Sequence, residues 1–266
     1  MENKLSFKQR LTTMLKVDMR RVFTTPIFYI FAGISLVIPV LILVMTSMMD
    51  GMVSVNPQTG VETVMEGFEN VWQIIGSTTP TDSMQGMDMG LTSMCNINLL
   101  YFMVAVMTCL FISADFSSGY VKNLFTVRAQ KSDYVISKIV TNFVCSIIIF
   151  LLFFVGAIIG GAIAKLPFVM EGFDFMNLLW CMLGKIFLCL IFVSVCTLAS
   201  SFGKSKSWLS IIIACAFSML FFTMIPMITP INSTPINFLL CAVGGVLFSI
   251  GLCYASKKVL DKSALI

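Results

Sequence analysis

Few side chains in this 266-residue chain could carry chemistry, and the residue type that most often does is missing. With no histidine, Ser-His and Cys-His nucleophile systems, imidazole bases and histidine-containing metal sites are all removed. The nine cysteines, Cys95, Cys109, Cys145, Cys181, Cys189, Cys196, Cys215, Cys241 and Cys253, fall mostly inside apolar runs and never at C-x-x-C spacing. They read as small core hydrophobes rather than zinc ligands or a disulfide framework. Met84, Met87 and Met89 in MQGMDMG could hold Cu(I), a soft ion that prefers sulfur. With 20 methionines in the chain and no histidine beside these three, ordinary apolar usage is the better reading. Gly203-Lys204-Ser205 looks like the end of a phosphate loop, but the glycine required five residues before Gly203 is Leu198, and an apolar helical run precedes it instead of a strand. With no metal-ligand cluster and no pair of embedded acids either, the chain reads as a non-enzyme that holds no cofactor, metal or nucleotide of its own.

Two groups of residues remain. One is Lys185, alone in an apolar run about ten residues past Phe175, which at the helical rise is roughly 15 Å. An ammonium at mid-bilayer costs about 3 kcal/mol on insertion scales, so Lys185 either lines a cavity on a substrate path or plays a structural part; both readings stand. Lys165, near the end of another run, is a plain snorkelling lysine. The other group is the polar stretch Ala114 to Ile139, considered below once its position is fixed.

Such residues must be positioned by elements that live in lipid. The chain is 58% hydrophobic and 11% charged, with mean hydropathy +0.97, whereas about a quarter of a soluble domain is charged. A span takes about 20 apolar residues, and six runs qualify: Ile27 to Met48, Met94 to Ser113, Ile139 to Ala164, Leu178 to Phe202, Trp208 to Ile228 and Ile236 to Ser256. The third is long enough to tilt or to break near Gly160-Gly161. The fold class expected is all-α: one polytopic transmembrane domain over 1–266, with its first span retained rather than cleaved as a signal peptide.

Cations give the orientation. Fifteen of the 17 fall on one side: Lys4, Lys8, Arg10, Lys16, Arg20 and Arg21 before the first run; Lys122, Arg128, Lys131 and Lys138 between the second and third; Lys204 and Lys206 between the fourth and fifth; Lys257, Lys258 and Lys262 after the sixth. The opposite loops hold Lys165 and eight acids: Asp50, Glu62, Glu66, Glu69, Asp82, Asp88, Glu171 and Asp174. By the positive-inside rule both termini are cytoplasmic and the number of spans is even.

The segments between the spans carry their own patterns. In the N-terminal segment 1–26, Phe7, Leu11, Met14, Leu15 and Val22 form an apolar stripe amid basic residues, as an amphipathic helix in the inner interface would. Within the outer loop 49–93, Val61, Val64, Met65, Phe68, Val71, Trp72 and Ile75 recur at helical spacing and predict a short helix. Gly156, Gly160 and Ala164, and again Gly245 and Ser249, are small-residue stripes that let helices approach closely. Membrane lipid is the partner these features imply; nothing in the chain calls for nucleic acid.

The cytoplasmic segment 114–138 has an acid directly after a span (Asp115), a glycine four residues on (Gly119), a basic residue (Lys122), a short apolar piece (Leu124, Phe125), Arg128, and a lysine opening the next span (Lys138). That order resembles the permease subunit of type-2 ATP-binding-cassette (ABC-2) transporters. The six runs and the N-terminal amphipathic segment extend the resemblance over almost the whole chain. It departs from the family in having Asp rather than the commoner Glu at 115, and Ser118 and Tyr120 around the glycine.

The resemblance implies a coupling helix that docks on a separate ABC ATPase subunit, which holds ATP and magnesium, and a second permease, identical or homologous, that completes the substrate path. Asp115, Gly119, Lys122, Leu124, Phe125 and Arg128 would form the coupling region. The membrane would be a bacterial plasma membrane, and the function would be export of an apolar or amphipathic peptide, lipid or drug. A subunit serving assembly or sensing in an export complex, without transporting, is the alternative.

Overall fold

A computed structural model describes residues 6–55, 62–64, 67–76, 95–126, 130–169, 174–222 and 224–262. Helix dominates, as backbone surrounded by lipid must satisfy its own hydrogen bonds. The basic amphipathic segment forms α1 (Phe7–Thr24). Thr25 is extended, as a residue before proline tends to be, and Pro26 opens α2 (Pro26–Met49), where a missing N–H costs nothing.

There follow β1 (Val53–Val55) and β2 (Glu62–Val64), a small antiparallel ribbon with Val53 opposite Val64, and a single 3-10 turn, Val71–Ile74. The remaining helices are α3 (Leu99–Ser117), α4 (Tyr120–Thr126), α5 (Lys131–Ala164), α6 (Phe175–Gly203), α7 (Ser207–Phe222), α8 (Ile225–Ile228) and α9 (Pro235–Lys262). Among the described residues, α2, α3, α5, α6 and α9 are long and apolar enough to cross a membrane. Among the described residues the structure is helical apart from this ribbon and the 3-10 turn, and the chain is a polytopic membrane protein.

Three elements differ from what the spacing predicts. The run expected to cross at Trp208 to Ile228 forms only the 16-residue α7, about 24 Å long, before α8 starts anew. Pro226 supplies the reason: continuing the helix would drive its ring into the carbonyl of Phe222, four residues back, where α7 ends. The third run neither starts at Ile139 nor breaks at Gly160-Gly161. Instead α5 extends 34 residues from Lys131, about 51 Å, so a stretch beyond a hydrocarbon core of about 30 Å is left over.

The third difference lies in the outer loop, where the helix expected over 61–75 is absent among the described residues. Val64 lies in β2, Val71 and Trp72 lie in the 3-10 turn, and Val61 and Met65 fall outside the described residues. Phe68, Val71, Trp72, Ile74 and Ile75 are all buried, and Glu69 is the one exposed residue from 68 to 76, too little wet face for an amphipathic helix to keep. Neighbours satisfy its polar groups instead: Trp72 Nε1 donates to Phe168 O (2.7 Å), Asn70 Nδ2 to Val169 O (3.0 Å), and Ile97 N to Ile74 O (2.9 Å). The segment caps one end of the bundle.

Within the bundle α2 packs on α5, α9 on α6, and α3 and α7 on α6 and on each other. Small residues set two close seats. A Cβ at Gly160 would come within 2.8 Å of Val40 Cα, and one at Gly245 within 2.6 Å of Phe187 O. Ser249, one turn beyond Gly245, shares a 2.7 Å hydrogen bond with Ser194. The nine cysteines are free, and six of them are buried.

Candidate functional site

The strongest concentration of charge lies where α1, the end of α3 and the first turns of α5 meet, at the basic end of the bundle. Lys138 is fully buried, and its Nζ lies 2.6 Å from both Asp18 Oδ1 and Asp115 Oδ2. Arg21, one turn after Asp18 on α1, places Nη2 2.7 Å from Asp115 Oδ1 and Nη1 4.0 Å from Asp18 Oδ1. Two cations thus balance two carboxylates.

Neutral groups complete the cluster. Ser137 Oγ donates to Asp18 Oδ2 (2.7 Å) and Tyr134 OH to Asp115 Oδ2 (3.2 Å). Arg21 lies over the Tyr120 ring at 4.2 Å, and Lys138 over the Phe111 ring at 4.4 Å. Burial works against the Arg21 charge, yet Asp115, with Tyr120 and Asp18, outweighs it and holds the guanidinium above its ordinary pKa. Burial, then the Asp18 charge, raises the Tyr120 phenol.

Such a cluster is not acid-base machinery: each carboxylate is ion-paired, and neither is open to water. What it can do is fasten. A buried ion pair is strongly destabilised by losing one partner, so α1, α3 and α5 are joined in a geometry that resists sliding. Two outer clamps extend the junction. Arg10 Nε meets Asp133 Oδ2 at 3.0 Å, and Lys131 Nζ donates to Leu260 O at 2.8 Å beside Asp261. The extra length of α5 is therefore a post to which α1 and the end of α9 are tied.

The segment from Asp115 onward, expected from the resemblance to be the coupling region, hangs from this junction. Asp115 is buried in the cluster rather than displayed at the surface. Gly119 turns the chain with φ +73°, the left-handed region where a side chain is strained, and Asn123 N returns to Gly119 O at 3.1 Å to start α4. Lys122 and Asn123 are exposed on α4. Leu124 and Phe125 are half-buried against the chain's own core, Phe125 edge-on to Tyr134 with centroids 5.7 Å apart. Arg128 lies outside the described residues.

Sequence reasoning passed over Asp18, Arg21 and the pairing of Lys138. The signal was there: Leu11, Leu15, Asp18 and Val22 follow one another at helical spacing on α1, which puts an acid on the apolar stripe.

At the other end of the bundle Lys185 is also fully buried. Its Nζ donates to Asn98 Oδ1 (3.3 Å) and Thr229 Oγ1 (3.1 Å), and Tyr101 OH donates to Lys185 O (2.8 Å). Lys165, the other lone cation, is exposed at the end of α5. Among the described residues, no group of three or more Cys, Asp and Glu side chains could hold a metal ion; Met84, Met87 and Met89 lie outside them. No family model, curated protein or solved structure matches the chain.

Proposed function

We propose that the chain is the membrane subunit of an ATP-driven exporter of the ABC-2 kind, gripping a separate ATPase through the turn and helix from Asp115 to Arg128. The observation that supports this reading is the ionic junction of Asp18, Arg21, Asp115 and Lys138, which fixes the end of α3, from which α4 follows across the Gly119 turn, to α1 and α5, while Lys122 and Asn123 are exposed. Closure of an ATPase against α4 would then tilt α1, α3 and α5 together, provided two packings of the bundle lie within a few kcal/mol.

In this reading α7 and α8 together make the fifth, short span, both termini are cytoplasmic, and the membrane is a bacterial plasma membrane. A second permease completes the path, and the cargo is apolar or amphipathic. ATP and magnesium stay on the partner. The reading is tested by reconstituting the chain with an ABC ATPase that co-purifies with it and measuring ATP hydrolysis. Stimulation by the wild-type chain, lost with the Lys122→Ala/Arg128→Ala variant, is the expected result. Equal stimulation by both would overturn the docking role and favour a subunit for assembly or sensing.

A further inference from the structure

One face of α9 carries Asn237, Leu240, Cys241, Gly244, Gly245 and Phe248 at i, i+3, i+4, i+7, i+8 and i+11, the period of a helical stripe. All six line a cleft of about 400 Å³ walled on its other sides by α6 and α8, Ile191 and Ile228 among them. The two glycines act differently. Gly245 seats α9 on α6, where a Cβ would come within 2.6 Å of Phe187 O, whereas a Cβ at Gly244 would meet nothing within 4 Å. The two helices are held close while a groove stays open beside their contact.

That groove opens sideways, onto lipid. Leu240 and Phe248, which line it, are two-thirds exposed, and Leu239, Val243 and Leu247 beside them are exposed too, so the groove continues the surface that α9, a spanning helix, turns to the bilayer. Its length follows from the helix. Phe248 lies about 16 Å along α9 from Asn237, against about 15 Å for half of the hydrocarbon core. Asn237 stands at the start of the apolar run of α9, which puts its amide at the depth of lipid ester groups and Phe248 near the midplane. The groove is therefore one leaflet deep, polar at its interfacial end and apolar below. Past Phe248 it shallows into an open dent at Gly251.

We propose that this groove seats one ester-linked acyl chain of a bilayer phospholipid, from the leaflet at the start of α9, with the Asn237 amide donating to the ester carbonyl and the chain running past Gly244 to Phe248. A volume at the small end of the range for ligand sites suits one chain; the second chain of the lipid stays in the bilayer. No charged side chain lines the groove among the described residues, so the ester, which an amide N–H recognises, is the polar group read here. The competing occupant is a second copy of this chain. Helices pack along small residues, whereas bulky, exposed Leu240 and Phe248 flank this opening; they hold off a rigid helix and let a flexible chain pass between them. The seat needs no ATPase, so its outcome is separate from that of the docking reading.

The test uses the full-length chain in phosphatidylcholine nanodiscs carrying a trace of phosphatidylcholine with a diazirine near the methyl end of one chain. After irradiation, mass spectrometry compares adducts on Ile191, half-buried in the groove wall, with those on Ile250, which is 63% exposed on α9 close to the depth of Phe248 and outside the groove. Bulk lipid alone would favour Ile250. A seated chain should put Ile191 at least about threefold above it. Gly244→Leu fills the groove from an open position and should lower that ratio about tenfold, while Val243→Leu, one residue away and outside the groove, should leave it unchanged. Asn237→Leu, or an ether-linked probe on the wild-type chain, should lower it about threefold, the worth of one hydrogen bond. A wild-type ratio below about threefold, or one that Gly244→Leu leaves unchanged, would overturn the proposal. So would an ether-linked probe that labels Ile191 as well as the ester, or oxidative cross-linking of two copies that depends on Gly244→Cys, which would put a second chain in the groove.

Discussion

Asp18 and Lys138 show how a charge can be legible in the sequence and still be misjudged. Lys138 stood in the count of cations and served there only to orient the protein, while Asp18 was passed over; nothing in a count says that an acid on α1 and a lysine 120 positions later touch. Two features did point inward: Asp18 interrupts the apolar stripe of α1, and Lys138 follows Tyr134 by one turn on a face that continues through Asn142 and Cys145, all four of them buried. Removing Lys138 leaves two buried carboxylates with Arg21 alone, so Lys138→Met should lower unfolding free energy by about 3–5 kcal/mol. The Asp18→Asn/Lys138→Met double variant keeps the Arg21–Asp115 pair and an acceptor for Ser137, and should recover at least about 1 kcal/mol of that loss. Denaturation of the detergent-solubilised chain checks both values; additive losses would mean that the two side chains do not interact.

Elements were easier to find than to bound. Apolar runs locate α2, α3, α5, α6 and α9 because a spanning helix needs both length and hydropathy. They miss the first two turns of α5, since Lys131, Ser132, Asp133 and Lys138 look like loop until α1 and α9 are in place to pair with them. The outer cap was misread for the converse reason: a helical period fitted its apolar residues, but burial of nearly the whole segment and hydrogen bonds to Phe168, Val169 and Ile97 removed the need for a helix. The small-residue stripes were legible, because close approach tolerates few side chains.

The same seats give two predictions. At Gly160, Leu would collide with the α2 backbone and should cost about 1–3 kcal/mol or more, whereas Gly33→Ala, which meets open space on α2, should gain about 0.5–1 kcal/mol. At Gly119 the positive φ makes Ala cost about 1–2 kcal/mol. Thermal unfolding of the three variants should rank Gly33→Ala above wild type, then Gly119→Ala, then Gly160→Leu; Gly160→Leu melting with the wild type would contradict the α2–α5 packing.

At the scale of the whole molecule, the two ends have different characters. One end is basic, cross-linked by ion pairs and tipped by an exposed helix. The other is capped by buried apolar chain over a lone lysine. That division was the part of the architecture most open to sequence reasoning, because cation placement follows one rule over the entire chain. How the ends work together was not, since coupling depends on contacts between residues far apart in sequence.

The most direct measurement is therefore the sidedness of α4. Asn123→Cys places a thiol on the exposed surface of that helix, to be treated in intact cells with a membrane-impermeant maleimide. No labelling until the membrane is permeabilised is the predicted result. Full labelling from the external medium in intact cells would contradict the account, because a helix facing outward cannot meet an ATPase that works on cytoplasmic ATP.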